Sequence, residues 1–456
     1  MNNLLLVDNI GEIRQSGTTA SRLCGGGIRS FRLLGGAGML ALALFHPPAW
    51  ADETTNTDNA ARTCQQSDSG VANFTAMFTC GTVHGTFRTL YYSTHNAYFV
   101  KNNNQDTASY GGSIKYLTAP YLGLSFGVSG ILQRGLWHGD DSRMVSELRD
   151  NQDNIGEAYV NWQYRQLRIT AGNQRLNIPF ISDYDWRITP ILFRAVDARY
   201  GDKENFVHAT KAYRYKPWGS DQFLSTTAYT SVQTKTNGVW AVGGGQAVQL
   251  GAQKLKGELW YDEYDDYVRL FFTEAHLIDT DSAWTPDLGL QFMRGTSEGK
   301  ALAGEVDNVS YGAQFSFTPT RDIKWSFNYN HIAASHDAYG NGALVTPYSR
   351  QTSSGRYFAQ PFFTSTQDLG SGNAYSTRLS YQATPALTVG AYYSFMDLRE
   401  SVNLPSRNQS EYLVFASYQF SGALKGLSLS DFVGVQTSPR YDQDFWQNRL
   451  SLQYTF

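Results

Sequence analysis

The chain has 456 residues, a net charge of −3 from Lys+Arg 37 against Asp+Glu 40, and 14% aromatic residues with 17% charged; its mean hydropathy is −0.39. Disordered chains are charge-rich and poor in aromatics, nucleic-acid binders are usually basic, and helical membrane proteins need apolar runs of about 20 residues. The only run approaching that length lies before residue 52. Scattered apolar residues and 42 glycines instead suit strands that alternate a lipid face with a wet face, as in a transmembrane β-barrel.

At the N-terminus, Leu33 to Phe45 form an apolar core behind Arg29 and Arg32, followed by Ala49-Trp50-Ala51. Small residues at that spacing predict a signal peptide over 1–51; a core of thirteen residues is too short to span a bilayer. Cys24 precedes the core and lacks the small residues of a lipoprotein site. Residues 52–82 then form a periplasmic segment. In an oxidising compartment its two cysteines, Cys64 and Cys80, are expected to pair, for about 3 kcal/mol in the chain-entropy model. Val71, Phe74 and Phe78 recur at helical spacing, so residues 61–80 read as a stapled periplasmic cap or a short lumen plug.

Alternation dominates residues 83–456. Eighteen strands are expected at 83–93, 110–118, 121–133, 154–164, 166–174, 205–215, 223–232, 245–253, 255–263, 266–278, 287–296, 308–318, 322–334, 374–383, 386–397, 410–420, 426–436 and 446–456. Long connections such as 175–204 and 335–373 alternate with short ones such as 384–385, matching external loops and periplasmic turns. Tyr261 to Tyr267 leave little room for a loop, so a sixteen-strand count also fits that region, and Gly243-Gly244-Gly245 reads as a flexible hairpin. In the last segment Leu450, Leu452, Tyr454 and Phe456 alternate with Arg449, Ser451, Gln453 and Thr455. Tyr454 and Phe456 would end the barrel and present the C-terminal strand to the barrel-assembly machinery. Aromatic side chains at strand ends favour a lipid–water interface over a soluble sandwich.

Two stretches then carry a family signature. Tyr110 to Tyr116 with Ala119 to Gly127, and more strongly Gly172-Asn173-Gln174-Arg175-Leu176-Asn177-Ile178-Pro179-Phe180 followed by Asp185-Trp186-Arg187-Ile188-Thr189-Pro190, resemble the outer-membrane porin D (OprD-type) family. Val83 to Arg88 resembles its first strand. Where Asn173 stands the family usually has Arg or Lys, and the Cys64–Cys80 segment is not typical of it. The resemblance implies an all-β, antiparallel transmembrane barrel of about 18 strands in the outer membrane of a Gram-negative bacterium. Its loop 175–204 would fold inward as a constriction, and basic lumen residues would pass small solutes, often carboxylates or amino acids.

Charge on the lipid face costs about 2–4 kcal/mol at midplane, so mid-strand cations should face the lumen. Arg88, Lys115, Arg168, Arg378 and Arg449 all stand opposite the apolar face of their strands; in 205–215, Arg214 is preferred over Lys211. The loop adds Arg175, Arg187 and Arg194 with Asp183 and Asp185, groups able either to filter solutes or to pair with one another. Enzymatic chemistry has little support: His331 beside Asn328 and Asn330 is the nearest thing to a rim catalytic site, and no histidine has metal-ligand spacing. Three functions compete: a passive channel for small anionic or zwitterionic solutes, an adhesive barrel with partner-binding loops, and a lipid-acting barrel enzyme. The partners expected are outer-membrane lipid and solute, with no nucleic acid, cofactor or metal, as a monomer or an oligomer.

Overall fold

A computed structural model describes Cys64 and residues 70–138, 143–228, 232–348, 356–363, 370–399 and 408–456. The expected signal peptide and most of residues 52–69 lie outside the described residues. The strands are β1 (Thr82–His95), β2 (Gln105–Leu117), β3 (Leu124–His138), β4 (Gln152–Tyr164), β5 (Leu167–Gln174) and β6 (Leu192–Gly201). They continue with β7 (Phe206–Lys216), β8 (Val239–Leu250), β9 (Gln253–Tyr264), β10 (Val268–Asp279), β11 (Asp287–Ser297) and β12 (Asp307–Thr320). The last six are β13 (Ile323–Ile332), β14 (Gly372–Thr384), β15 (Leu387–Leu398), β16 (Gln409–Gln419), β17 (Leu427–Thr437) and β18 (Phe445–Thr455).

All eighteen join one antiparallel sheet, each strand beside its sequence neighbours. The sheet closes where β1 meets β18, from Thr86 opposite Thr455 to His95 opposite Trp446. Gly85 and Phe456 exchange backbone hydrogen bonds of 2.9 and 3.0 Å at the seam. Closure leaves no edge strand, so every wall N–H and C=O can pair without water. Connections such as 385–386 and 251–252 are tight turns on the side of the termini; on the other side, 175–191, 217–238 and 333–371 are long.

Register assigns each residue a face. Leu450, Leu452 and Tyr454 are exposed outward, whereas Arg449 and Gln447 are buried inward, and the same parity runs around the wall. With lipid outside, exposure of these apolar side chains is their burial in hydrocarbon.

Three expectations are corrected. Residues 223–232 form no strand among those described, and Leu192–Gly201 does, inside the segment expected to be all loop. One error offsets the other, so the count of eighteen stands while the inward loop shrinks to 175–191. Gly243-Gly244-Gly245 is not a hairpin but the middle of β8; a Cβ on Gly243 would lie 2.1 Å from the Trp260 ring, so glycine there makes room for an indole.

Cys64 and Cys80 are disulfide-bonded, with Cα atoms 5.4 Å apart. The short helix α1 (Phe74–Thr79) between them is capped by Asn73, whose Oδ1 accepts from Ala76 N at 2.8 Å. Val71 N donates to Pro120 O and Ala119 N to Met77 O, seating the helix on the turn between β2 and β3. Ala76 and Met77 are buried there, while Phe74 and Phe78 are exposed. Residues 71–80 therefore cap the turn between β2 and β3.

Candidate functional site: the lumen and its two inward segments

The loop 175–191 crosses the barrel interior. It leaves β5, turns through a small hairpin pairing Asn177 with Ser182 and Ile178 with Ile181, and returns into β6. On one side it meets β1: Arg88 Nε donates to Gln453 Oε1 at 2.8 Å, and Arg88 Nη1 donates to Asp185 Oδ1 at 3.2 Å and to the Arg187 carbonyl. On the other side Tyr264 of β9 donates to Phe180 O at 2.9 Å, and Phe180 packs edge-on to Phe272 of β10 at 5.9 Å. Trp186 meets Phe432 of β17 at 5.7 Å.

The loop's predicted charges form a clamp. Arg175 binds Asp183 Oδ2 through Nε at 2.5 Å and Asp185 Oδ2 through Nη2 at 2.8 Å, so Asp185 is shared between a loop cation and the wall cation Arg88. Burial opposes ionisation of Asp185, but Arg88 and Arg175 outweigh it and hold the carboxyl down at about 2. Burial likewise disfavours the Arg175 cation, and Asp183 with Asp185 reverses that, raising its pKa. Arg187 is fully buried, its guanidinium lies over the Tyr92 and Trp218 rings at 5.4 and 5.0 Å, and the Glu147 carboxylate is 3.9 Å from it. Burial, then repulsion from Arg449, lowers its pKa.

A second segment, 356–363 within the long connection after β13, also lies inside. Here lumen-facing wall side chains hold the backbone. Phe358 N donates to Gln291 Oε1 at 3.2 Å, Ala359 N to Asn330 Oδ1 at 2.8 Å, and Phe363 N to Glu411 Oε1 at 2.9 Å. Arg378 Nη2 donates to Gln360 O at 2.9 Å, and the Tyr392 hydroxyl donates to the same carbonyl. Arg378 thus faces inward as expected, with its guanidinium turned to that segment.

The other predicted cations divide. Lys115 faces inward, 3.0 Å from Glu157 and over the Tyr159 ring at 4.9 Å. Arg168, near the periplasmic end of β5, stands opposite Arg199 on the inward face and is exposed at the mouth. Arg449 is buried inward, its guanidinium 4.6 Å from the Phe363 ring and 5.0 Å from Tyr92, with Nη2 donating to Gln447 Oε1 at 3.0 Å. Arg194 and Arg214 contradict the expectation. Arg194 shares the outward face of β6 with exposed Val196 and Tyr200. Arg214 is opposite it because a register shift between Arg194 and Ala195 makes a bulge; Tyr213 and Arg214 are both exposed between buried Ala212 and Tyr215. Strict period-two counting cannot see a bulge, which flips every later residue.

His331 does not meet Asn328 or Asn330: it lies on the outward face, its Nδ1 2.9 Å from Asn373 Oδ1, while both asparagines are buried on the lumen face. The histidine-based rim site expected as the alternative does not assemble.

Sequence reasoning missed an acidic wall. Asp197, Glu258, Asp262, Glu274 and Asp287 face inward from β6 and β9 to β11. Glu274 and Asp287 flank His276 at 2.8 and 2.7 Å, and Asp197 accepts from Thr210 at 2.6 Å. In a closed ring of eighteen strands, β9 and β10 stand across from β18 and β1, so Glu258, Asp262 and Glu274 oppose Arg449 and Arg88. Parity would have found them, since Glu258 and Asp262 alternate with outward Leu259 and Tyr261. Between the basic wall and the loop, Arg88, Arg449, Asp185, Trp186, Phe432, Ser428, Ser430, Ser451 and Gln453 line a cavity of about 590 Å³, open solvent included.

Comparison with known proteins fits this architecture. No curated protein sequence matches the chain significantly. Among solved structures, OccK3 (OpdO) of Pseudomonas aeruginosa is 18% identical with a TM-score of 0.66, over 84% of this chain and 97% of that one. A BenF-like porin of Pseudomonas fluorescens Pf-5 is 16% identical with a TM-score of 0.71, over 83% and 99%. OpdK of Pseudomonas aeruginosa, solved with vanillate, is 16% identical with a TM-score of 0.68, over 83% and 99%. The family model for outer membrane porins of the OprD family matches residues 81–456, the whole barrel: the chain belongs to the OprD family, and it is a channel of the Gram-negative outer membrane, not an enzyme.

Proposed function

We propose that this porin passes small carboxylates, and that the cavity beside the loop 175–191 is where they are selected. The carrying observation is the lining of that cavity: two arginines, Arg88 and Arg449, a row of serines at 428, 430 and 451, and the aromatic pair Trp186 and Phe432. Arg449, which lines the same cavity, is the cation we assign to meet a solute carboxylate, while Arg88 holds Asp185 and the loop backbone. Guanidinium suits this because its planar fork matches carboxylate geometry and stays charged. The serine hydroxyls would replace waters lost by the carboxylate, and the rings would take the solute's apolar part. The acidic wall opposite supplies the other half of a transverse field that orients an anionic or zwitterionic solute. The vanillate complex of OpdK, an aromatic carboxylate in a structural relative, points to the same solute class.

Planar-bilayer recording tests the reading. Folded protein should give discrete conductance steps with anion preference in a salt gradient, and benzoate should reduce the current at lower concentration than a neutral sugar. Arg449→Ser should move the reversal potential toward cations and weaken the benzoate effect. Cation preference in the wild type, or an unchanged reversal potential in the variant, would discard the proposal. The strand Phe445–Thr455, whose outward Tyr454 stacks on Phe456 at 5.7 Å, is by the same inference the segment offered to the barrel-assembly machinery.

A further inference from the structure

Arginines on the outward face near the external end of the wall are paired with carboxylates in three places. Arg134 pairs with Asp153, Arg269 with Glu263 at 3.2 Å, and Arg294 with Asp307 at 2.5 Å. Between β6 and β7 this pattern breaks. Arg194 and Arg214 stand opposite each other across the ladder, both exposed, each the third residue from the external end of its strand. Arg194 Nε donates to Asn173 Oδ1 at 2.9 Å, and its guanidinium lies 5.1 Å from the Phe223 ring. Among the described residues neither arginine has a carboxylate within ion-pair distance. Deeper on the same face, Lys211 lies over the Trp240 and Tyr213 rings at 5.1 and 5.7 Å.

Like charges directly opposite in a ladder destabilise it. Here the arrangement is made by a specific device, because Arg214 points outward only through the bulge after Arg194. Bulges re-aim side chains, and this one puts a second arginine on the outward face opposite the first, near the external rim. An anion between the two would convert repulsion into paired, charge-assisted hydrogen bonds, and two guanidinium forks match the oxygens of a phosphate. Trp240 and Tyr213 beside the cluster are the side chains that settle at a lipid–water interface.

We propose that Arg194 and Arg214, flanked by Lys211, bind a phosphate group of a lipid of the external leaflet. The site lies on the outer face of the wall and is independent of which solute the lumen passes.

Equilibrium binding of fluorescently labelled, bis-phosphorylated lipid A to the folded full chain in detergent micelles tests this. R194Q and R214Q should each weaken binding roughly tenfold and the double variant roughly 100-fold, as expected for loss of charge-assisted hydrogen bonds. Dephosphorylated lipid A should bind the wild type as weakly as the phosphorylated lipid binds the double variant. R134Q, whose wild-type arginine already has Asp153, should leave binding unchanged. R194K with R214K should restore part of the affinity, and heat-modifiable electrophoretic mobility verifies that each variant is folded. Undiminished binding by the folded double variant, or equal binding of the dephosphorylated lipid, overturns the proposal. Displacement of lipid A by millimolar sodium phosphate would make this a free-anion site and overturn the lipid assignment.

Discussion

The two segments that enter the lumen are held by opposite chemistry. Loop 175–191 is fastened by charge: Asp185 sits between Arg88 of the wall and Arg175 of the loop itself, with Asp183 as a second partner. Segment 356–363 is fastened through its backbone, whose N–H and C=O groups meet Gln291, Asn330, Glu411, Arg378 and Tyr392 on the wall. A charge clamp concentrates its strength in one carboxylate and depends on pH. A backbone seam spreads it over several bonds of about 1 kcal/mol each, more where a charged group takes part. The first resembles a latch and the second a stitched hem, so the two should respond differently to single substitutions.

Asp185→Ala should have the largest effect on this contrast. It leaves buried Arg88 and half-buried Arg175 without their shared counter-charge, Arg175 keeping Asp183, and breaking a pair of this kind costs up to about 3–5 kcal/mol. Amide hydrogen exchange across 176–191 should quicken and single-channel conductance rise, while 356–363 keeps its protection. Glu411→Gln should act less, on the order of 1 kcal/mol, because a glutamine carbonyl can still accept from the Phe362 and Phe363 amides. Exchange at those two amides reads it, with 176–191 unchanged. If either substitution loosened both segments equally, the separation between latch and hem would be lost.

Acid sharpens the comparison further. The Asp185 carboxyl is held at about 2, below its usual 3.8, so its contribution is fully present above pH 4 and disappears as pH falls through the folded value. The shift corresponds to roughly 2 kcal/mol. Protection of 176–191 should therefore decline between about pH 4 and pH 2. Residues 358–360, whose wall partners Gln291, Asn330 and Arg378 include no carboxyl group, should hold longer. The smallest effect is expected at the periplasmic cap. Reducing Cys64–Cys80 removes a constraint worth about 3 kcal/mol in the chain-entropy model, yet α1 packs on the β2–β3 turn and the adjoining ends of those two strands. Exchange of the Ala76 to Cys80 amides should quicken with no change in conductance or in barrel mobility on gels.

Alternation made most of the wall legible. Lipid on one side and water on the other constrain every second residue, and Arg88, Lys115, Arg168, Arg378 and Arg449 all face the lumen as parity predicts. Parity failed where the ladder is irregular or the run carries little contrast. The 223–232 run has strand-like composition, but among its described residues only Leu224 pairs, in an isolated bridge to Tyr215. The Leu192–Gly201 strand was hidden by Arg194, Asp197 and Arg199, whose charge reads as loop until one sees that Asp197 and Arg199 face water-filled space.

Composition, strand period and the 172–190 motif were enough to determine an antiparallel transmembrane barrel of about eighteen strands, its family and its membrane, though not which segments are all of its strands. These follow from local constraints repeated along the chain: a lipid face that excludes charge and backbone groups that must pair between neighbours. Only the tertiary structure decided which arginines do what. Arg88 and Arg378 hold inward segments, Arg449 lines the cavity, and Arg194 and Arg214 leave the lumen altogether. Those roles depend on a bulge of one residue and on contacts between positions from 18 to 365 apart in the chain. No local period carries that information, because ring closure and loop insertion bring such partners together only after the wall exists.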